Sequence, residues 1–341
     1  MSSKSSTKAP QKGLLPGEWR PDYPVTYAPI FNWPPQPINI LKWFFGWPGF
    51  LYPWNLFYIS LTYVCYTYFQ PPASAFTDLY SAEAKHAILS LYIRNAMLLI
   101  GMAGGWHLVL YTLRLQGNNR KYFPEWPATN EPKFLFGDQV YDNIFWNLCS
   151  GVPIWTAYEV FYFWSINKGT VPTIPWDINN PYYFIGLLIL IPFWREFHFY
   201  WIHRLIHTPF LYKHVHYLHH KNWNTISWSG MSMHPVEHVF YFSCLLLHWV
   251  VPSHPFHFLA NAFWTSLTPA QGHSGFEQPF LGFISGGSYF HYLHHRYRDV
   301  NMGESTIPLD YWFGTFYDGQ TSRSLPDDVV TSSSNNTKKG K

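Results

Sequence analysis

Four apolar stretches constrain the fold of this chain more than any other feature of its sequence. They cover residues 50–69, 87–113, 140–166 and 181–202, and each is long enough to cross a bilayer, which needs about 20 residues. Charged residues make up 12% of the chain, compared with about a quarter in typical soluble domains. Aromatic residues make up 21%, which suits a protein with many side chains at a membrane interface. The sequence therefore predicts an all-α fold, a polytopic membrane helical bundle.

Two further apolar runs, 239–252 and 256–268, are shorter and are separated by a break that contains proline and histidine. They could form a tight helical hairpin or dip partway into the membrane, and the sequence does not decide between these alternatives. Either arrangement returns the chain to the side from which it started.

Loop charges predict how the four stretches are oriented. The segment before the first stretch and the loop 114–139 are rich in basic residues, whereas the loops 70–86 and 167–180 each hold one lysine. Cytoplasmic loops carry the excess of Lys and Arg in membrane proteins. We therefore expect both termini, the loop 114–139 and everything after the fourth stretch to face the cytosol.

Composition divides the chain into four predicted parts. Residues 1–40 read as an irregular cytosolic arm, 41–180 as membrane-anchoring helices, 181–318 as the catalytic domain, and 319–341 as a disordered tail. The domain 181–318 begins with the fourth apolar stretch and continues as a histidine-rich helical cap that faces the cytosol. The last four letters, KKGK, resemble the dilysine retrieval signal of endoplasmic-reticulum membrane proteins. A solvated basic tail is the alternative interpretation.

The histidines are the strongest chemical signal in the sequence. All but His86 and His107 of the 18 histidines fall between residues 198 and 295, with clusters HRLIH at 203–207 and HYLHH at both 216–220 and 291–295. Positions i, i+3 and i+4 share one face of a helix, so each cluster is a row of imidazoles that point the same way. Imidazole is the commonest metal ligand in proteins. The predicted metal ligands are His203, His207, His216, His219, His220, His291, His294 and His295.

The number of these histidines exceeds what one metal ion needs. A catalytic zinc site uses three protein ligands, whereas eight histidines fit two metal ions with four or five ligands each. Imidazole suits iron, zinc and copper, so ligand type alone does not choose the metal. His198 matches no motif position and is interpreted as an ordinary structural histidine. With His203 it forms an HxxxxH spacing, but the two rings would lie about 140° apart on a helix.

The ordered set HxxxH, HxxHH and HxxHH resembles the fatty acid hydroxylase/sterol desaturase superfamily of membrane-bound di-iron oxygenases. The resemblance runs from about residue 180 to 318 and implies two non-haem iron ions, with O2 as co-substrate. MHPVEH at 233–238 and GHSGFE at 272–277 are similar to the sterol desaturase-like branch. That similarity implies His234 and His273 as further metal ligands, with His238 as either a ligand or a hydrogen-bonding partner of one.

The resemblance also implies an activity, an electron donor and a location. It implies desaturation or hydroxylation of a sterol or other lipid in the endoplasmic-reticulum membrane, most closely that of a C-5 sterol desaturase, with electrons from cytochrome b5 and NADH-cytochrome b5 reductase. Hydroxylation of a fatty acid or an alkylglycerol on the same scaffold is the alternative, and a metal-buffering or transport protein is a further one. The net charge of +3 is spread along the chain, which gives a nucleic-acid partner little support.

Charged residues inside the predicted spans are candidates for structural or functional roles. Arg94 and Glu159 are expected to pair and hold the bundle together, with contact to a sterol hydroxyl as the alternative. Arg195, Glu196 and Asp310 are expected to support the imidazoles and fix their tautomers.

Overall fold

The computed structural model describes residues 17–177, 181–277 and 288–319. The first 16 residues and the end of the chain from residue 320, including KKGK, lie outside them. Within the described residues the regular secondary structure is helical, with only three isolated β-bridges besides. The prediction of an all-α fold is confirmed.

The α-helices used below are numbered in chain order. They are α1 Pro37–Phe45, α2 Leu56–Tyr68, α3 Ala82–Leu99, α4 Gln139–Trp146, α5 Val152–Asn167, α6 Tyr182–Ile206, α7 Tyr217–His220, α8 Pro235–Phe242, α9 Pro255–Gly272, α10 Tyr289–Tyr297 and α11 Leu309–Trp312. The shorter 3₁₀ segments are Pro29–Phe31, Ala73–Phe76, Leu135–Gly137, Ser227–Met231 and Ser243–Trp249. Segments with π-helical hydrogen bonding are Leu51–Asn55, Ile100–Gly104, Leu108–Thr112, Asn147–Gly151 and Tyr212–His216, and the single α-turns are Gly105–His107 and Pro209–Leu211.

Each of the four apolar stretches is helical. Among the described residues, one helix is long and apolar enough to span a membrane by length and composition, and it covers Ala82–Thr112. Helix α2 is shorter than the roughly 20 residues a span needs. A π-helical turn separates α4 from α5, and α6 carries Arg195, Glu196 and Arg204 among its apolar residues. The helical bundle is therefore present, whereas the multi-pass membrane arrangement stays a prediction.

Helix α9 lies at the centre of the bundle and packs against α2, α3, α5 and α6. It is buried along nearly its whole length, as expected for a helix that is apolar on every side. Arg94 of α3 and Glu159 of α5 form a buried ion pair beside it, so the predicted pairing is confirmed. His273 follows the C-terminal end of α9 and lies buried in the middle of the molecule.

The region 239–268 forms two helical segments that fold back on each other. Helix α8 continues into the 3₁₀ segment Ser243–Trp249 before the chain turns into α9. The Tyr241 hydroxyl donates to the Thr265 carbonyl at 2.7 Å across this hairpin. Its depth in a bilayer stays a prediction.

The N-terminal arm is packed onto the histidine-rich part of the chain from residue 17 onward. The Tyr292 hydroxyl donates to Glu18, Glu18 pairs with Arg296, and the Ala28 amide donates to the Thr306 carbonyl at 3.2 Å. Helix α1 begins at Pro37, inside the segment expected to be irregular, with proline in its first turn. The arm thus covers α10.

Candidate metal centre

Nine buried or half-buried histidines meet in two adjacent groups. The five-histidine group contains His203, His207, His216, His220 and His294, and the four-histidine group contains His219, His273, His291 and His295. Within each group the candidate ligand atoms all lie within 4.8 Å of one another. Nine of the ten histidines predicted as ligands are therefore brought together in space.

The two copies of HYLHH contribute to these groups in opposite ways. In the first copy, positions i and i+4 (His216 and His220) join the five-histidine group, and position i+3 (His219) joins the four-histidine group. In the second copy, i and i+4 join the four-histidine group, and i+3 (His294) joins the five-histidine group. Residues i and i+4 lie above one another on a helix while i+3 is offset around the axis, so each helix faces both groups at once.

The spacing of the imidazole nitrogens fits metal coordination. In the five-histidine group, Nε2 of His220 lies 3.0 Å from Nε2 of His294 and 3.3 Å from that of His207. In the four-histidine group, Nε2 of His273 lies 2.9 Å from Nε2 of both His291 and His295. Two nitrogens about 2.1 Å from one ion and at right angles to each other would be about 3.0 Å apart, given usual metal–imidazole distances. Each group has the dimensions of one coordination shell.

Hydrogen bonds at the opposite ring nitrogen fix the tautomers. Nδ1 of His203 contacts the Met302 carbonyl at 2.6 Å, and Nδ1 of His294 contacts the Val300 carbonyl at 2.6 Å. A carbonyl only accepts, so Nδ1 carries the proton and Nε2 keeps its lone pair. Nδ1 of His273 is held in the same way by the Pro269 carbonyl at 2.9 Å. Several lone pairs therefore face one another inside each group, and a cation between them would stabilise this arrangement.

Glu237 also holds the Nδ1 proton of a histidine, through a carboxylate instead of a backbone carbonyl. Its Oε1 accepts from Nδ1 of His216 at 2.7 Å, and both side chains are almost fully buried. A carboxylate behind a ligating imidazole fixes the ring orientation and raises its basicity. The sequence analysis did not identify this contact, because the pairing joins residues 21 positions apart on different helical segments.

Burial keeps the histidines neutral. Removal from water lowers the pKa of His203 and of His273 to about 4, although the hydrogen bond from each Nδ1 to a carbonyl opposes the shift. Burial, together with the neighbouring imidazoles, holds the pKa of His216, His294 and His295 well below the usual value. At neutral pH these rings carry the lone pairs that metal ions need.

The remaining predicted residues lie outside the two groups. His234, the tenth predicted ligand, caps α8, where its Nδ1 accepts from the Val236 amide at 3.2 Å. His238 contacts the Ser150 hydroxyl and the Met231 carbonyl, and His198 contacts the Ser243 hydroxyl at 2.8 Å. These contacts are to protein atoms outside the two groups, and metal binding by His234 or His238 stays a prediction.

The three charged residues expected to support the imidazoles contact the loop 300–307 instead of the imidazole rings. Glu196 accepts from the amides of Thr306 and Ile307. Asp310 accepts from the amides of Met302 and Gly303, and thereby fixes the loop whose Met302 carbonyl binds His203. Arg195 instead pairs with Glu304. Glu196 and Asp310 thus contact loop 300–307 rather than the imidazoles, and a role of these three residues in fixing the tautomers stays a prediction.

A cavity of about 510 Å³ opens beside the histidine groups. His203, His216, His219, His273 and His291 form part of its wall. Aromatic side chains form much of the rest, and they include Trp43, Phe50, Trp54, Tyr58, Phe199, Tyr241 and Trp264. Polar side chains complete the lining, among them Asn55, Arg195, Glu196 and Glu304. The size and the combination of aromatic walls with polar groups are typical of a pocket for a largely hydrophobic molecule. Trp43 precedes the first apolar stretch and Phe50 is the first residue of it, and sequence reasoning had assigned neither to a site.

These features define a class of protein, a helical protein whose polyhistidine centre could hold two metal ions beside an aromatic cavity. Residues 188–315 match the model of the fatty acid hydroxylase family. Together with the relatives described next, this match supports the fatty acid hydroxylase/sterol desaturase superfamily for the histidine-rich part of the chain. The match and the relatives indicate an oxygen-using oxidoreductase, from a family known for its use of iron.

Three curated relatives illustrate the range of this superfamily. The chain is 27% identical to a very-long-chain aldehyde decarbonylase of Oryza sativa, over 54% of this chain and 70% of the relative. It is 27% identical to a putative Delta(7)-sterol-C5(6)-desaturase of Arabidopsis thaliana, over 48% of this chain and 58% of the relative. It is 31% identical to a putative methylsterol monooxygenase of Dictyostelium discoideum, over 43% of this chain and 54% of the relative. A search of solved structures gives no significant match.

Proposed function

We propose that this chain is a membrane-bound, non-haem di-iron enzyme that uses O2 to desaturate or hydroxylate a sterol or related lipid, with C-5 sterol desaturation as the favoured reaction. The observation that carries the proposal is the pair of histidine groups, whose Nε2 atoms converge beside an aromatic cavity. A metal ion in each group would explain why so many imidazole lone pairs face one another.

Two iron ions held by these groups would supply the activation of O2 for oxidation of C–H bonds, chemistry that side chains alone do not perform. The residues of the chain orient the imidazole rings and bind the substrate. The carbonyls of loop 300–303 and the carboxylate of Glu237 hold the rings of His203, His294 and His216 by their Nδ1 protons. The aromatic walls of the cavity hold hydrocarbon and exclude water.

The names of several relatives support a sterol as substrate. A putative Delta(7)-sterol-C5(6)-desaturase and a putative methylsterol monooxygenase are among them. The aldehyde decarbonylases of Oryza sativa favour a second candidate, a long-chain lipid oxidised by the same ligand set, which includes the fatty acid or alkylglycerol hydroxylase alternative. A metal-buffering role is disfavoured, because five of the histidines line a cavity that also has aromatic walls.

We further propose that the enzyme is a multi-pass protein of the endoplasmic-reticulum membrane, with its catalytic face and both termini in the cytosol. The basic residues of the arm and of the loop 114–139 support this orientation. Cytochrome b5 and its NADH-dependent reductase are the proposed electron donors, and a cytosolic catalytic face is accessible to them.

Metal content and product analysis test the proposal together. The purified full-length protein is expected to hold about two iron atoms by elemental analysis. It is expected to convert a Δ7-sterol to the 5,7-diene with NADH, cytochrome b5 and its reductase. His219→Ala removes a ligand from the four-histidine group and His294→Ala removes one from the five-histidine group, so each is expected to lower iron content and abolish product.

Exposed His214 precedes the first HYLHH and belongs to neither group, so His214→Ala is the matched control and should keep both iron and turnover. Full iron and full turnover in both the His219 and His294 variants would remove these residues from the ligand set. Turnover of an alkylglycerol that depends on tetrahydrobiopterin, without sterol product, would favour the second candidate.

A further inference from the structure

The cavity continues along one face of α6, away from the histidines. Arg195, Phe199 and His203 are spaced four residues apart on this helix, and all three line the cavity. Eight residues of helix rise about 12 Å, so Arg195 lies about that distance from His203 along the axis. The cavity thus joins the histidine groups to a charged pair about 12 Å away along the helix.

That pair is made of Arg195 and Glu304. Nη2 of Arg195 lies 3.0 Å from Oε1 and 3.1 Å from Oε2 of Glu304. The Arg195 side chain is 9% exposed and the Glu304 side chain 41% exposed, so the pair lies where the cavity meets the surface. Nε of Arg195 is buried and makes no hydrogen bond of good geometry, and the nearby protein acceptor is the Tyr241 hydroxyl, which also lines the cavity. Buried donors are nearly always satisfied in proteins, so a ligand hydroxyl at this position would complete the hydrogen bonding of the guanidinium.

Building on the proposed function, we propose that Arg195 and Glu304 bind the hydroxyl group of a neutral lipid substrate at the mouth of the cavity. A hydroxyl can accept from the guanidinium and donate to the carboxylate at the same time. A substrate carboxylate would meet Glu304, which lines the cavity and already pairs with the positive charge of Arg195. Like charges at close range are unfavourable, so a fatty acid fits this mouth less well than an alcohol.

The spacing also limits which carbon reaches the histidines. A hydrogen bond takes up about 3 Å of the roughly 12 Å between Arg195 and His203. The remaining length is shorter than a sterol ring system. The pair therefore favours a substrate oxidised within a few bonds of its hydroxyl over one oxidised far along a chain.

Direct binding measurements test the pair without requiring turnover. Metal-free, full-length protein in detergent micelles is titrated with cholestanol, cholestane and the matching steroid carboxylate. Tryptophan fluorescence reports occupancy, because Trp43, Trp54 and Trp264 line the cavity. Cholestanol is expected to bind about tenfold more tightly than cholestane, the effect of a hydrogen bond to charged groups. The carboxylate is expected to bind more weakly than cholestanol.

Two variants test whether Arg195 and Glu304 cause the preference for cholestanol over cholestane. Arg195→Leu with Glu304→Leu removes both charges together, so neither is left unpaired. It is expected to bind cholestanol and cholestane equally within about twofold, with unchanged affinity for cholestane. Glu304→Gln keeps a donor and an acceptor and should retain most of the preference. Arg114→Gln, in a loop away from the cavity, is the control and should bind as the unmodified protein does.

Equal binding of cholestanol and cholestane by the unmodified protein, or tighter binding of the carboxylate, would overturn the proposal. So would a tenfold preference that survives in the double variant. If the double variant does not fold, the comparison of the three ligands and the Glu304→Gln variant still test whether the pair binds the hydroxyl. A preserved hydroxyl preference in a protein that holds no iron and gives no product would refute the proposed function and leave the hydroxyl site standing.

Discussion

Glu237 is the one acidic side chain that holds a ligand imidazole directly among the described residues. It accepts the Nδ1 proton of His216 at 2.7 Å, while its Oε2 atom is buried without a hydrogen-bond partner among the described atoms. Removing such a carboxylate typically costs 10–100-fold in metal affinity. Glu237→Ala is therefore expected to weaken iron retention about 10–100-fold, measured by competition with a chelator. Glu237→Gln keeps an acceptor for Nδ1 and should recover most of that loss, and equal retention by the Ala variant would contradict the role.

His234 and His273 were both suggested by the same resemblance, yet the structure separates them. His273 sits in the four-histidine group, whereas His234 caps α8 through the Val236 amide. We expect His273→Ala to lose about one of two iron atoms and His234→Ala to lose none, by elemental analysis of purified protein. The cap contributes about 1 kcal/mol, so His234→Ala should lower the thermal midpoint slightly. Loss of iron in the His234 variant would restore it as a ligand.

At the scale of elements, the site depends on a close approach between the 3₁₀ segment Ser227–Met231 and α9. A Cβ atom built on Gly230 would lie 2.3 Å from the Pro269 carbonyl oxygen, the same oxygen that accepts from Nδ1 of His273. Gly230→Ala is therefore expected to push α9 away, lower the thermal midpoint and reduce iron content. A Cβ on Gly186 meets nothing within 4 Å, so Gly186→Ala in α6 is the matched control. An unchanged midpoint and iron content in Gly230→Ala would show that α9 adjusts freely.

Much of the element structure could be predicted, because it follows from local patterns. The apolar stretches become helices, and the i, i+3 and i+4 spacing puts the imidazoles of each HYLHH on one side of its helix. The sequence could not assign each ring to a group. That assignment depends on how α7 and α10 face each other, so His219 and His294 cross to the group opposite to that of their neighbours. The carbonyls of Met302 and Val300 were equally invisible, because backbone acceptors leave no signature in side-chain patterns.

At the scale of the whole molecule, the region around the histidine groups is assembled from segments far apart in sequence. The arm covers α10, loop 300–307 fastens to α6 through Glu196, and α9 enters from the centre of the bundle. Sequence periodicity describes each helix separately and carries no information on these contacts. Predicted span lengths likewise overlooked the π-helical turn Asn147–Gly151, which interrupts one apolar stretch.

The buried imidazoles make the stability of the whole protein depend on pH in a defined direction. Burial lowers the pKa of His203 and of His273 to about 4, whereas histidine in an unfolded chain titrates near 6.5. Between about pH 6.5 and pH 4, these two histidines are therefore protonated in the unfolded chain but not in the folded protein. The free energy of unfolding of metal-free protein should fall across that window and stay unaffected by these groups above it.

Thermal midpoints of metal-free protein in detergent, measured from pH 8 to pH 5, check this sign. We expect a nearly constant midpoint down to about pH 6.5 and a steady fall below it. Burial also raises the pKa of Glu237, Glu277 and Asp310, which opposes the fall, but the nine imidazoles outnumber these carboxyl groups. Iron-loaded protein should start from a higher midpoint and lose it more steeply, because protons compete with the metal for the same nitrogens. A midpoint that rises between pH 6.5 and pH 5 would mean that the imidazoles are not held neutral by the fold.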